Sequence, residues 1–223
     1  MISPLAYVDP AAKLGKNVTV QPFAYIEADV EIGDDNVIMS GARILNGTRM
    51  GKGNKIYHGA VLAAEPQDFH YEGEKSLLII GDHNDIRENV VISRATHKDG
   101  CTRIGNENHL MDGVHLCHDV QIGNRSVLGI KVSVAGDCRI DDCTILSSNV
   151  IIQQNCHIGS WSLIQSGCRI AKDVPPYIVA ALEPTTYYGV NSVILMHEGM
   201  SEKIVKHISH AYRIIYQGNT SIF

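Results

Sequence analysis

Split into hexads, the stretch from Ile104 to Ile170 reads IGNENH LMDGVH LCHDVQ IGNRSV LGIKVS VAGDCR IDDCTI LSSNVI IQQNCH IGSWSL IQSGCR I, and every block opens on an aliphatic residue. The same step of six runs upstream through Ile2, Val8, Leu14, Val20, Ile26, Ile32, Ile38, Ile44, Met50, Ile56 and Leu62, and again through Ile80, Ile86 and Ile92. An α-helix repeats its apolar face about every 3.6 residues and a strand every second residue, so a strict period of six fits neither alone. It fits a hexapeptide β-solenoid. Three hexads close one triangular coil, and each anchor points inward from a flat side. Successive coils stack at the inter-strand spacing of ~4.8 Å and bond backbone to backbone.

The fourth residue after each anchor is small in most hexads, for example Ala24, Val30, Thr48, Ala60, Val120, Cys138, Val150, Cys156 and Cys168. Asn36, Asn54, Asn84 and Asn108 are the recurrent exceptions, and because Asn tolerates a tight turn they are expected at corners. Two segments leave the register, residues 63–79 and 93–103, and are expected to project as loops that build a binding surface. The repeat is expected to stop at Asp173-Val174-Pro175-Pro176-Tyr177, since proline cannot donate to a further ladder. Beyond it Ser201 is placed to cap a helix with Ile204, Val205, Ile208, Tyr212 and Ile215 on one face. The expected fold is therefore mainly β, a solenoid over residues 1–176 followed by a short helical segment over 177–223.

Composition agrees. The chain has 223 residues, 44% hydrophobic and 19% charged, with aromatics at only 6%, so Ile, Val and Leu must fill the core. A net charge of −5 gives no broad electrostatic footprint for nucleic acid. No stretch approaches the ~18 apolar residues of a membrane span, and Met1-Ile2-Ser3-Pro4 lacks a basic flank, so stable membrane insertion is not expected and a cytoplasmic location is. Of six cysteines, Cys138, Cys156 and Cys168 occupy the small inward position, where they replace Ala or Ser as packing residues of a reducing compartment.

The chemistry concentrates in His109-Leu110-Met111-Asp112-Gly113-Val114-His115-Leu116-Cys117-His118-Asp119. His115 and His118 bracket the inward Leu116 and emerge near one exposed corner. One coil further on, His118 stacks on Gly136 and then Gln154, Asp119 on Asp137 and then Asn155, and His115 on Ser133. No third histidine arrives by stacking, and stepping back leaves only His97 of the second loop, so no metal site is expected. A histidine flanked by aspartate is instead a general base with an orienter, and Gly136 can offer its N–H to a developing oxyanion. That is the pattern of acyl transfer; the bland alternative is that Gly136 only makes a tight corner. Cys117, the nucleophile adjacent in sequence to His118, points to the opposite side of an extended chain, so direct attack by the acceptor is expected.

These residues resemble the UDP-N-acetylglucosamine O-acyltransferases of lipid A biosynthesis. The likeness runs from residue 1 to about 216 and is carried by the hexads, Gln67-Asp68, Ile86-Arg87-Glu88-Asn89, His115-x-x-His118-Asp119, Ala135-Gly136, Asp173-Val174-Pro175-Pro176-Tyr177 and Tyr188-Gly189-Val190-Asn191. It implies a left-handed parallel β-helix, a homotrimer with sites between subunits, and an acyl-acyl carrier protein as donor, with no cofactor. It implies His118 as general base, Asp119 as its partner and Gly136 as oxyanion donor, with Asp68, His115, Gln154 and Asn191 as substrate contacts. Gln67 joins that binding set, as do two departures from the family pattern, Asp137 and Gln153, where histidines are usual. Val193 and His197 replace a glutamate and an arginine, Ser166 replaces a glycine near the acyl-chain end, and the tail ends before the family's last helices. The departures leave open an N-acyltransferase on a nucleotide-linked amino sugar, with acyl-CoA as an alternative donor. A metal-dependent prism resembling carbonic anhydrase and a non-catalytic scaffold are the remaining alternatives. Asp137 should stack on Asp119, where two carboxylates repel unless a protonated His118, a water network or a substrate ammonium lies between them.

Overall fold

The structure, a computed structural model, describes residues 1–217. Strands of two to five residues stack into three sheets of 9, 8 and 10 strands, each taking every third strand of the chain except at the end of the third sheet, where the last two strands of the chain join it together. Pairing is parallel in the repeat and steps by one coil, as in Tyr25↔Arg43 and Leu110↔Leu128. The result is a left-handed parallel β-helix. The anchors form its core: Ile26, Ile38, Ile44, Ile56, Leu62, Ile86, Leu110 and Leu116 have no exposed surface. Removing such side chains from water contributes ~1.5–3 kcal/mol each, which ties the six-residue period directly to stability.

The corners differ from the expectation. The left-handed backbone falls one residue before the small position, at Asn17, Asp35, Asn89, Asp119, Asp137, Asn149 and Asn155 among others. Asn36, Asn54, Asn84 and Asn108 are instead fully buried and form a ladder inside the prism. The Asn54 N–H donates to Asn36 Oδ1 at 2.8 Å, Asn84 N–H to Asn54 Oδ1 at 2.8 Å, and Asn108 N–H to Asn84 Oδ1 at 2.9 Å. Their Nδ2 groups donate to the carbonyls of Gly51, Gly81, Gly105 and Gly123. Ser126 and Thr144 extend the ladder. An amide that satisfies its donors and acceptor in the coils above and below is a suitable polar filler for a buried column.

The prism also continues past the prolines. Val174 bridges Ile158, and Ile178–Ala181 pairs in parallel with Leu163–Ile164 before Thr186–Val190 returns antiparallel. The segment from 177 therefore begins with two strands, and only then come helices α1 (Ser192–His197) and α2 (Glu202–Gln217). Proline lacks a donor but keeps its carbonyl: Ser162 Oγ donates to Pro175 and the Tyr212 hydroxyl to Pro176 at 2.7 Å. On α2 the buried face is Val205 and Tyr212 with Ile208 packed beside them, whereas Ile204 and Ile215 are about half exposed. Residues 218–223 of the expected helical segment lie outside the described residues. Among those described, no helix is long and apolar enough to cross a membrane.

Candidate active site

The strand His115–Leu116 ends in the corner Cys117-His118-Asp119, whose left-handed residue is Asp119 at φ 60°. His118 is not the exposed corner residue expected, for only 7% of it is exposed. Its ring lies against Gly136 of the next coil, where a Cβ would come within 2.6 Å of Nε2. Gly136 is thus required by the close approach of the imidazole. The turn itself is made by Asp137 at φ 58°, which sets aside the idea that Gly136 only shapes a corner. The Gly136 carbonyl accepts from Asn155, and its N–H has no acceptor among the described residues.

Both ring nitrogens meet carboxylates. Nδ1 stands 3.0 Å from Asp119 Oδ2 and Nε2 3.3 Å from Asp68 Oδ2. Asp119 can only accept, so in the neutral ring Nδ1 carries the proton and Nε2 is the basic nitrogen; Asp68, also acceptor-only, stands in hydrogen-bond contact with Nε2, so an acceptor hydroxyl must take the place beside Nε2 that Asp68 Oδ2 holds here. Burial would push the Asp119 carboxyl up, but the N–H and hydroxyl of Thr96, together with His118, outweigh it and hold the group below the ordinary aspartate range. Asp68 is also held low, chiefly by the N–H of His70, with the His70 and His118 rings adding to it. Burial lowers the pKa of His115, which keeps that ring neutral at pH 7. Burial also raises the Cys117 thiol, which disfavours a thiolate nucleophile there.

Both loops contribute, as their place in the sequence suggested. The first carries exposed Gln67 and half-buried Asp68, and the second carries Thr96 and His97. Thr96 lies in the expected loop 93–103, and its N–H and hydroxyl both donate to Asp119. Thr102 escaped notice: its hydroxyl accepts the Asp119 N–H at 2.9 Å. At other corners the equivalent N–H donates to a backbone carbonyl of the coil beneath, as Asp137 does to His118. The second loop interrupts the coil beneath Asp119, and that interruption was the signal that a side chain must replace the missing carbonyl.

Of the remaining expected residues, Gln154 Nε2 donates to Asp137 Oδ2 at 3.1 Å, so these two belong to one cluster beside His118. Exposed Gln153 borders them through its chain position, and its carbonyl accepts from the Cys138 thiol. Asn191 is buried, with Nδ2 donating to the Trp161 carbonyl at 2.9 Å, so its amide is engaged beneath α1. A further group faces the stacked carboxylates: His97, Asp119 and Asp137 bring ligand atoms within 4.8 Å of one another. The spacing suits a cation, but Asp119 Oδ2 already receives three hydrogen bonds, and the His97 imidazole itself helps hold Asp119 low.

Comparison with known proteins extends this site to a family. Residues 173–223 match the model of UDP-N-acetylglucosamine O-acyltransferase domain 2, and residues 11–46 match the bacterial transferase hexapeptide repeat. An acyl-[acyl-carrier-protein]--UDP-N-acetylglucosamine O-acyltransferase of Chlorobium phaeobacteroides is 60% identical over 217 residues, covering 97% of this chain and 82% of that protein. The enzyme of the same name from Gloeothece citriformis is 36% identical over 166 residues, and there the match spans 60% of the relative's length. The crystal structure of a UDP-N-acetylglucosamine acyltransferase from Bacteroides fragilis superposes with a TM-score of 0.97 at 50% identity, covering 99% of this chain and 87% of that one. With the hexad prism, the buried His118-Asp119 pair on Gly136 and these likenesses over nearly the whole length, the chain belongs to the UDP-N-acetylglucosamine O-acyltransferase family.

Proposed function

We propose that this chain transfers an acyl group, such as a 3-hydroxyacyl chain, from acyl-acyl carrier protein to a hydroxyl of UDP-N-acetylglucosamine. The observation that carries the proposal is the His118 ring, held at Nδ1 by Asp119, backed by Gly136 and with Nε2 in contact with loop residue Asp68. The sugar hydroxyl displaces the Asp68 carboxylate from Nε2 and gives its proton to that nitrogen as its oxygen attacks the thioester carbonyl. The Gly136 N–H donates to the tetrahedral oxyanion. Collapse breaks the carbon–sulfur bond, and the imidazolium returns its proton to the departing thiolate. The products are ester and thiol, with no enzyme-bound acyl group and no cofactor.

The relatives that share most of the chain are O-acyltransferases using an acyl-carrier protein, which favours the hydroxyl acceptor and that donor over the N-acyl, acyl-CoA and carbonic-anhydrase-like alternatives. A homotrimer in the cytoplasm completes the proposal. The outward ladder Val127, Ile145, Leu163 and Val179 on one flat side supports packing between subunits. The test is His118→Ala assayed with acyl-acyl carrier protein and UDP-N-acetylglucosamine. Loss of a general base should lower kcat by ~10² to 10⁴-fold. A variant that keeps the parent rate, or a parent that turns over the CoA thioester equally well, would overturn the base or the donor respectively.

A further inference from the structure

We propose that Thr96 is a positioning residue for the reaction, fixing the Asp119 carboxylate so that His118 keeps Nε2 directed at the acceptor; this rests on His118 being the base. Three donors converge on one oxygen. Asp119 Oδ2 accepts the Thr96 hydroxyl at 2.7 Å, the Thr96 N–H at 3.0 Å and His118 Nδ1 at 3.0 Å. The first distance is that of a short, charge-assisted hydrogen bond, among the stronger ones a neutral side chain makes. Thr96 is 9% exposed, so water does not readily replace it.

Thr96 is itself held by contacts that join the two loops. Arg94 N–H donates to the Ala64 carbonyl at 3.0 Å, and the Arg94 guanidinium reaches the Ala63 carbonyl at 3.1 Å and the Tyr71 hydroxyl at 2.6 Å. Ser76 Oγ donates to the Ala95 carbonyl, and Ala95 is fully buried. Residues on both sides of Asp68 therefore brace the residue that fixes Asp119. On the other flank, Thr102 Oγ1 takes the Asp119 N–H and pins the backbone of the same corner. A carboxylate left with only the Thr96 N–H and His118 has a wider range of side-chain torsion. The imidazole follows it, while the sugar and acyl sites are untouched.

The prediction is therefore a selective fall in kcat. Thr96→Val keeps the size, the branching and the backbone N–H but removes the hydroxyl, and should lower kcat by roughly tenfold, in the range seen when a partner orienting an active group is lost. The KM for UDP-N-acetylglucosamine should stay at the parent value while the melting temperature falls by the loss of one charge-assisted hydrogen bond, and Thr96→Ser should recover most of the rate. In an Asp119→Asn background, Thr96→Val should add little, because residues acting as a unit are not additive. The idea fails if Thr96→Val retains parent kcat, if Ser and Val lose rate equally, if KM moves with kcat, or if the two substitutions multiply. An undiminished rate in Thr96→Val while His118→Ala is inactive would refute the positioning role alone, whereas an active His118→Ala would refute the base on which it depends.

Discussion

Gly136→Ala tests the site through one methyl group. A Cβ at this position stands 2.6 Å from His118 Nε2, and ordinary contact begins at 3.4 Å, so the ring must move by at least 0.8 Å. It has nowhere free to go, because Asp119 holds Nδ1 at 3.0 Å and Asp68 faces Nε2 at 3.3 Å. Misplacement on the scale of 1 Å costs ~10²-fold in rate, and that is the fall in kcat expected here. Alanine retains its N–H, so the proposed oxyanion donor is still present and the loss reports the displaced imidazole. Overpacking a filled site costs ~1–3 kcal/mol, which in a chain of this size lowers the melting temperature by roughly 2–12 °C. The assay is steady-state kinetics alongside a thermal melt, with Gly167→Ala as control. Gly167 also sits at a corner, at φ +76°, but a Cβ there meets nothing within 4 Å, so that variant should lose a little stability and no rate. Parent kcat in Gly136→Ala would show that the ring is not confined as described and would remove the steric reason for this glycine.

Two further outcomes follow from the same contacts. Asp119 is held below the ordinary aspartate value of 3.8 in the folded chain, so its contribution to stability is complete above that pH and is lost as pH falls through the lower folded value. The melting-temperature difference between the parent and Asp119→Asn should therefore be constant from pH 7 to 5 and shrink below about pH 4, and a difference that grows with acid would contradict the assignment. Asn84→Ala strips the acceptor of the buried Asn108 N–H and the donor to the Gly105 carbonyl, leaving two buried polar groups unmatched at ~1–3 kcal/mol each. A denaturant melt showing no loss of stability would mean the ladder does not hold the coils together.

The period of six was readable because every coil repeats it, and an inward Ile or Leu at each step is the least ambiguous mark a sequence can carry. Stacking arithmetic likewise brought His118, Gly136 and Gln154 into one column and Asp119 onto Asp137. Contacts made by the loops could not be read this way. Asp68 and Thr96 reach His118 and Asp119 from segments with no register, and Thr96 holds a small-residue position whose usual fate is burial in the core. The tail was misjudged for a related reason. Pro175 and Pro176 cannot donate, yet the residues flanking them carry the ladder, Val174 bonding with His157 and Gly159 and Tyr177 with Ser160, while the proline carbonyls accept from the Ser162 and Tyr212 hydroxyls. Asn36 and its counterparts were assigned to turns by residue preference, when the neighbouring position takes the left-handed backbone and leaves Asn to the interior.

The asparagine ladder also explains why the loops could acquire a function. Asn54 and Asn84 are 30 residues apart across the first insertion and Asn84 and Asn108 are 24 apart across the second, yet their bonds, 2.8 and 2.9 Å, match the 2.8 Å between Asn36 and Asn54 in uninterrupted coils. The column does not register how much chain leaves between its rungs. An insertion at a corner therefore costs chiefly the entropy of ordering its own residues, which grows slowly with length, while the coils above and below keep their packing. Both insertions leave the chain on the coils beneath His118, and they return Asp68 to Nε2 and Thr96 to the carboxylate that holds Nδ1. A rigid prism that tolerates loops supplies the fixed corner, and the loops supply the partners that hold its histidine in the orientation the proposed base needs.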